Sequence, residues 1–210
     1  MDKVLSDKVK ALLKAKQGIQ LDIGGGGNPQ KGFVNLDIRP LETVDIVWNI
    51  ERFPWPLPDE CCIRVMASHL VEHINPSFGD ARVFPLIQLL LKKKILTLQE
   101  IRDYIGEVED KPRFIRFMDE VWRIMKPDGQ FMIAMPHGYS PGYLQDPTHI
   151  AARSEATWAY FDPLEPNTKG MLYAIYQPRP WHITHLNWSP NMNLEVVLEK
   201  RLDDRSYHGK

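Results

Sequence analysis

Four consecutive glycines, Gly24 to Gly27, directly follow the apolar run at 19–23, and the acidic residue Asp37 lies within the next apolar run, 33–38. Glycine has no Cβ, so a ligand can lie against the bare backbone of such a loop. A loop at the carboxyl end of the first strand of a parallel sheet occupies the usual ligand crevice, and an acid after the second strand accepts hydrogen bonds from ribose hydroxyls. The pattern therefore predicts a site for an adenosine-containing ligand without a 2′-phosphate.

The spacing of these residues separates the predicted site from two other nucleotide-binding loops. The fingerprint of nicotinamide dehydrogenases places its acidic residue about 20 residues beyond the glycines, after a full helix. Asp37 lies much closer to Gly24, which disfavours a nicotinamide oxidoreductase. A P-loop ends in Gly-Lys-Ser or Gly-Lys-Thr, and residues 24–29 contain no such ending. A glycine run alone is also typical of a tight turn or a linker, so the prediction depends on the order strand, glycines, strand and acid.

Histidines and acidic residues cluster at two further points where apolar runs end. His69, Glu72 and His73 follow the fourth run, and His149 belongs to an Asp-Pro-Thr-His segment that begins at Asp146. Histidine can serve as a general base near neutral pH. We therefore predict that His69, His73 and His149 lie at the reacting end of the site; the alternative is that they only fix a helix start and a loop. Because His69 and His73 are four residues apart, we expect them to share one face of a helix.

The segment after the last predicted parallel strand offers two further features. His137 could join Asp146 and His149 around a metal ion, but no pair among them has the tight spacing of a zinc motif, so we expect no metal site. Aromatic residues in this region could form a surface that stacks on a sugar or ring substrate, or could be half-buried packing. They are Tyr139, Tyr143, Trp158, Tyr160 and Phe161.

The elements that position these residues follow from hydrophobic periodicity. Apolar strand runs alternate with helical segments, and strands this apolar suit a parallel sheet that is covered on both faces. We predict an α/β fold: a Rossmann-like, mostly parallel sheet flanked by helices, with an antiparallel C-terminal hairpin. The predicted strands are 19–23, 33–38, 44–48, 63–67, 130–135, 181–188 and 194–201, and the predicted helices are 3–16, a largely helical stretch over 68–126 with Ser68 as N-cap and 111–126 as its last helix, and 154–161.

Size and composition restrict the class of protein. With 210 residues the chain is long enough for one sizeable core, so we predict a single domain over 1–210. A net charge of −1 gives no reason to expect nucleic acid as a partner. Cys61 and Cys62 are adjacent and form no disulfide framework, which favours a reducing cytoplasm. The longest apolar stretch, 83–91, is too short to span a bilayer, so no membrane segment is predicted.

Several segments together resemble class I S-adenosylmethionine (SAM)-dependent methyltransferases. The resemblance is closest to the type 11-like branch, in which the first helix is almost lost, and it covers roughly residues 18–165. Each motif is only moderately specific, whereas their common order is much more so. The matching segments are the glycine loop 21–29 with its "GFxNxD" strand 32–37, the third strand 44–50, the "LPFPDxS" connection 53–60, the "xxSHxLEHI" segment 65–74 and the "ExxRVLKPGG" turn 117–129.

The resemblance implies SAM as cofactor and direct SN2 transfer of its methyl group to a small-molecule or glycan-like acceptor. Asn49 stands where the family usually has an acid, which motivates an alternative: a non-catalytic, SAM-binding or scaffold module that retains the fold. Residues 76–110 are longer than the family's usual connection and are predicted to be a helical insertion, serving as a lid, a dimer surface or a substrate wall. The oligomeric state stays open. The residues implied in cofactor binding are Asp22, Gly24, Gly25, Gly26, Asp37, Ile38, Asn49, Ile50, Ser68 and His69.

Overall fold

The structure of the protein is a computed structural model that describes residues 4–74, 92–93, 97, 111–164, 173 and 177–202. The insertion predicted at 76–110 lies outside the described residues, apart from residues 92, 93 and 97. Within the described ranges, no helix is both long enough and apolar enough to cross a membrane.

Within the described residues, seven strands form one sheet in the order β3-β2-β1-β4-β5-β7-β6. The first five strands run parallel to one another, and β7 pairs antiparallel with both β5 and β6. The predicted mostly parallel sheet with an antiparallel C-terminal pair is therefore confirmed. The strands are β1 (Ile19–Ile23), β2 (Val34–Asp37), β3 (Ile46–Val47), β4 (Cys62–Ser68), β5 (Met125–Pro136), β6 (Trp181–Trp188) and β7 (Asn193–Lys200).

The strand order reverses at β1, which pairs with β2 on one side and β4 on the other. Ile23, the last residue of β1, stands opposite Leu36 of β2 and Ala67 of β4. The carboxyl ends of the three strands consequently meet at one edge of the sheet. In open α/β sheets, ligands bind in the crevice outside such a switch point.

Helices cover the sheet close to where the sequence predicts them. Helix α1 (Asp7–Lys14) begins after Ser6, whose side chain accepts from the Val9 N–H, and is shorter than the predicted 3–16. Helix α2 (Arg113–Ile124) presents buried aromatic residues, among them Phe114 and Phe117, to the core. The single turn α3 (Pro141–Leu144) and the helix α4 (Glu155–Ala159) follow β5. Helix α4 lies within the predicted 154–161, and a Ser154–Thr157 capping box stabilises its N-terminus.

The prediction of a helix starting at Ser68 is wrong. Ser68 is the last residue of β4 and pairs with Ala134, and the His69 N–H donates to the Ala134 carbonyl at 2.8 Å, so the ladder continues past the expected cap. His69 then adopts a left-handed φ of 51°, and only a short 3-10 turn, Val71–His73, follows. His69 and His73 therefore do not share a helical face.

The helix predicted over 111–126 ends earlier than expected. Helix α2 stops at Ile124, and β5 begins at Met125 and includes Pro127, ahead of the predicted start at residue 130. The β4–β5 register shifts between Cys62 and Arg64. The irregularity leaves room for Pro127, which has no N–H to contribute to a ladder.

The proline-rich connection 53–60 is fixed to α2 by a buried polar clamp. Glu120 Oε1 accepts from the Trp55 N–H at 2.6 Å and from Arg123 Nη2 at 2.6 Å. Arg123 Nη2 also donates to the Leu57 carbonyl at 2.9 Å, and Arg123 Nε donates to Glu120 Oε2 at 3.0 Å. These hydrogen bonds to Glu120, together with the hydrogen bond to Asp59, outweigh partial burial and raise the pKa of Arg123 above its ordinary value. The clamp fixes the connection 53–60, whose prolines cannot lie in a helix interior. The chain continues from this connection into β4.

Replacing Glu120 with Ala should lower the free energy of unfolding by about 2–3 kcal/mol, because it leaves the buried Trp55 N–H and part of the Arg123 fork without partners. Lys10→Ala is the control, since it removes an exposed ion pair of 3.2 Å to Asp7 and should cost less than about 0.5 kcal/mol. Urea unfolding measures both. Equal losses in the two variants would contradict the role of the clamp.

Candidate functional site

A cavity of about 350 Å³ opens at the carboxyl edge of β1, β2 and β4. Its volume lies within the range of small-ligand sites. Gly24, Asp37, Ile38, Asn49 and Ile50 line it, all of them predicted from the sequence to hold a cofactor. The other described lining residues are Leu36, Trp48, Glu51, Leu70, His73 and Ile74.

Gly24, the first residue of the glycine loop, lines this cavity, and the backbone of the loop requires glycine at particular positions. Gly24 and Gly26 have φ angles of 77° and 55°, which L side chains rarely adopt. A Cβ on Gly24 would also lie 3.0 Å from Leu70, and one on Gly25 would lie 2.7 Å from an oxygen of Asp22 and from one of Asn35. Around Gly27 there is open space.

Asp22 fixes the end of the glycine loop through a hydrogen bond. Its side chain is buried, and its Oδ2 accepts from the Gln30 N–H at 2.7 Å. Burial raises the pKa of Asp22 above its ordinary value, although the hydrogen bond from Gln30 acts against the shift. Asp22, Gly25 and Gly26 lie outside the cavity lining, and their contact with a cofactor stays a prediction.

Asp37 ends β2 and places its carboxylate beside the loop. Its Oδ2 accepts from the Gly26 N–H at 3.1 Å, and its two oxygens accept from the Arg39 side chain at 3.1 and 3.2 Å. Burial alone would raise the pKa of Asp37, but the hydrogen bonds and charge of Arg39 and the Gly26 N–H outweigh it and hold the pKa below its ordinary value. Asp37 is thus an anionic acceptor at the cavity wall, and its partner Arg39 is 61% exposed. Because Arg39 is exposed while Asp37 is buried, the Arg39 side chain can turn into solvent and leave the Asp37 carboxylate to accept from ligand hydroxyls.

Asn49, which occupies the sequence position where the resembling family usually has an acid, lines the cavity together with Glu51. Asn49 Oδ1 accepts from the Glu51 N–H at 2.9 Å, so the side chain closes its own turn. Glu51 also lines the cavity, and its Oε2 accepts from Arg113 Nη1 at 2.8 Å. Five lining residues were not predicted from the sequence: Leu36, Trp48, Glu51, Leu70 and Ile74. All of them except Glu51 fall inside segments that resemble the family, and that position was the only signal available for them.

Ser68 and His69 are exposed at the end of β4 and lie outside the cavity lining. His69 Nδ1 is 3.5 Å from Glu72 Oε1, and its Nε2 is 3.4 Å from Asn193 Nδ2 of β7. The nearby Glu72 carboxylate raises the pKa of His69 above its ordinary value and outweighs the partial burial of the ring. The left-handed backbone of His69 is therefore accompanied by contacts that fix the ring near the edge of the sheet.

His73 and His149 meet in space, as the prediction of a common site requires. Their ring centroids are 4.8 Å apart in an edge-to-face arrangement, and Tyr143 stacks on His149 at 5.2 Å. His73 also lines the cavity. His149 is held next to His73 because the Ile150 and Ala151 N–H groups, which follow it in the loop, both donate to the Glu72 carbonyl at 3.1 Å.

His137 does not join this group. Its ring is buried, lies 3.2 Å from Glu155 Oε2 through Nε2, and packs on Trp188 at a centroid distance of 4.1 Å. The Tyr139 N–H donates to His137 Nδ1, so Nε2 carries the proton that is donated to Glu155. The metal set His137, Asp146 and His149 that we considered from the sequence is therefore not assembled around His137.

The predicted aromatic surface is only partly present. Trp158 and Phe161 are 0% and 1% exposed and belong to the hydrophobic core, where both contact Phe114. Tyr139 is 85% exposed. Trp158 and Phe161 therefore cannot stack on a ring substrate, because their ring faces pack in the core.

Comparison with family models and with curated proteins gives no match. Among solved structures, the chain is similar to the PH0226 protein of Pyrococcus horikoshii OT3, with 12% identity, 96% of each chain covered and a TM-score of 0.48. A SAM-dependent methyltransferase of Aquifex aeolicus is 13% identical, over 95% of this chain and 92% of that chain, with a TM-score of 0.44. A 16S rRNA (adenine(1408)-N(1))-methyltransferase variant of Catenulisporales acidiphilia, with SAM, is 15% identical, over 91% and 90%, with a TM-score of 0.44. These similarities do not assign a function to this chain. A function has to be argued from the chain's own residues.

Gly25→Ala should destabilise the protein by about 1–3 kcal/mol, because the new Cβ collides with two short, buried side chains that cannot move aside. Gly27→Ala is the matched control in the same loop and should change the free energy of unfolding by less than about 0.5 kcal/mol. Thermal unfolding compares the two variants with the parent protein. A Gly25→Ala variant as stable as Gly27→Ala would contradict the packing described for Asp22 and Asn35.

Proposed function

We propose that the protein is a SAM-dependent methyltransferase. The observation that carries the proposal is the anionic Asp37 at the wall of a cavity that Gly24, Asn49 and Ile50 also line. A carboxylate after the second strand of a parallel sheet is suited to ribose hydroxyls. The glycine loop, in turn, suits a ligand lying against backbone.

The resemblance and the cavity together favour SAM over other adenosine ligands. Asp37 would accept the ribose hydroxyls in place of Arg39, and Asn49 and Ile50 would flank the adenine. The apolar walls formed by Leu36, Trp48 and Leu70 suit a planar base. Only 11 residues separate Gly26 from Asp37, which is too short for the helix of a dinucleotide fingerprint.

The methyl group of SAM is already activated, so the protein has mainly to align an acceptor behind it. His73 at the cavity, together with His149 and His69, would face an acceptor there, and one of them would take its proton where the acceptor must lose one. The acceptor that we propose is a small molecule or a glycan-like compound, supported by the net charge of −1, which provides no excess of cations for a nucleic-acid backbone. The free thiols of Cys61 and Cys62 support a reducing compartment such as the cytoplasm.

Calorimetry with S-adenosylhomocysteine (SAH), the demethylated product, tests the cofactor site. We expect saturable binding of one molecule per chain. Asp37→Asn should raise the Kd about 10- to 100-fold, because a hydrogen bond to a charged group contributes about 1.5–3 kcal/mol. Glu42→Gln, an exposed acid on the following loop, is the control and should bind as the parent does. No detectable binding of SAH at millimolar concentration would overturn the proposal.

A second candidate, a non-catalytic SAM-binding module, is favoured by Asn49 alone. Asn49→Asp retains the acceptor for the Glu51 N–H and adds an oxygen for the adenine amino group, so we expect SAH to bind about 3- to 10-fold more tightly, as one additional hydrogen bond allows. Unchanged or weaker binding would contradict the placement of adenine beside Asn49. Methyl transfer to any compound in an acceptor screen eliminates the non-catalytic candidate.

A further inference from the structure

Glu72 is a buried carboxylate that accepts no hydrogen bond from the described residues. Its side chain is 0% exposed, and neither Oε1 nor Oε2 has a hydrogen-bond partner among the described residues. A buried ionised carboxyl group without hydrogen bonds is costly, and proteins usually pair such groups or use them to coordinate metal ions. The atoms around Glu72 therefore decide what the carboxylate is for.

Two imidazoles complete a cluster with this carboxylate. One ligand atom each from Glu72, His73 and His149 lies within 4.8 Å of the others. His149 Nε2 is 3.9 Å from Glu72 Oε1 and 3.7 Å from Asp146 Oδ2. Zinc bound to imidazole nitrogen and carboxylate oxygen at about 2.0–2.2 Å holds its ligands roughly 3.5 Å apart, so side-chain movements of about 1 Å close the set.

The second nitrogen of each ring is already occupied in the way that metal ligands require. His73 Nδ1 is 3.2 Å from the Thr148 carbonyl oxygen, and His149 Nδ1 is 2.8 Å from the Tyr143 carbonyl oxygen. A carbonyl oxygen only accepts, so Nδ1 is the donor in both rings, and in a neutral imidazole with this tautomer Nε2 is the nitrogen that offers a lone pair. Histidines that bind metals are oriented by such a hydrogen bond from the other ring nitrogen.

We propose that Glu72, His73 and His149 bind a divalent transition-metal ion of the zinc type. Two imidazoles and one carboxylate suit such ions. Three protein ligands leave a coordination position for water, for a solute or for Asp146. Because His73 also lines the cavity, the ion would lie beside the proposed cofactor site. Binding of the ion itself does not depend on the proposed methyltransferase function.

The charges that face Glu72 give the competing explanation. Arg153 is buried and lies 3.5 Å from the face of the Phe114 ring, and its Nη2 approaches the Val71 carbonyl, not the Glu72 carboxylate. His69 lies 3.5 Å from Glu72 Oε1 on the exposed side. If these cations alone balanced Glu72, removing its charge would leave zinc affinity unchanged.

The test uses the full chain, freed of metal with a chelator and titrated with zinc chloride in a calorimeter. We expect one saturable zinc site per chain. Glu72→Gln, which keeps the shape and removes the charge, and His149→Gln should each weaken it at least about 100-fold, since even outer partners of a metal site contribute 10- to 100-fold. His185→Gln, an exposed histidine on β6, is the control and should bind zinc as the parent does.

Thermal unfolding provides a second measurement, in which each variant is compared with itself in the presence and absence of zinc. Zinc should raise the Tm of the parent protein and of His185→Gln, but not that of Glu72→Gln, because only a native-state site stabilises on binding. No saturable zinc binding by the parent, or parent-like affinity in both cluster variants, would overturn the proposal. Titration of the metal-free parent with SAH keeps the two proposals apart: failure there overturns the methyltransferase assignment and leaves the zinc result standing.

Discussion

The glycine loop can be held at the edge of the sheet because two buried polar side chains occupy the space that a Cβ would need. Asp22 accepts from the Gln30 N–H, and Asn35 Nδ2 donates to the Gly26 and Thr43 carbonyls at 2.9 and 3.0 Å. These bonds connect β1, the loop, β2 and the segment leading to β3. Buried backbone groups must be paired, so these hydrogen bonds restrict the conformation of the loop. The restricted conformation places Gly26 beside Asp37.

The cavity wall that we propose to hold the cofactor could be predicted because its residues are local in sequence. Gly24, Asp37, Asn49 and Ile50 come from the ends of three successive strands, and parallel pairing brings such ends together whatever the side chains are. Periodicity and glycine chemistry therefore fixed both the sheet and this wall of the cavity. What could not be predicted is that Arg39 covers the Asp37 carboxylate, since a flexible, exposed side chain has no pattern that places it.

The segment after β4 shows where local rules fail. Ser68 has the chemistry of an N-cap, and the residues after it resemble a helix start. The backbone is decided instead by β5, because the His69 N–H donates to the Ala134 carbonyl and continues the ladder. A non-local hydrogen bond of this kind overrides local propensity and leaves His69 in a left-handed conformation, a strained state that persists where surrounding contacts fix it.

The proposed acceptor half of the site depends on contacts between distant parts of the chain, which spacing along the sequence does not reveal. The loop after β5 donates two N–H groups to the Glu72 carbonyl, and this contact helps to bring His149 beside Glu72. That same docking buries the Glu72 carboxylate and removes it from water, a cost that folding has to offset. Arg153 supplies charge without a hydrogen bond to the carboxylate, and His69 stands at 3.5 Å, so neither satisfies the oxygens. An ion between Glu72, His73 and His149 would satisfy these oxygens directly. A bound ion also accounts for the orientation of both imidazoles by backbone carbonyls, which balance by Arg153 and His69 alone does not.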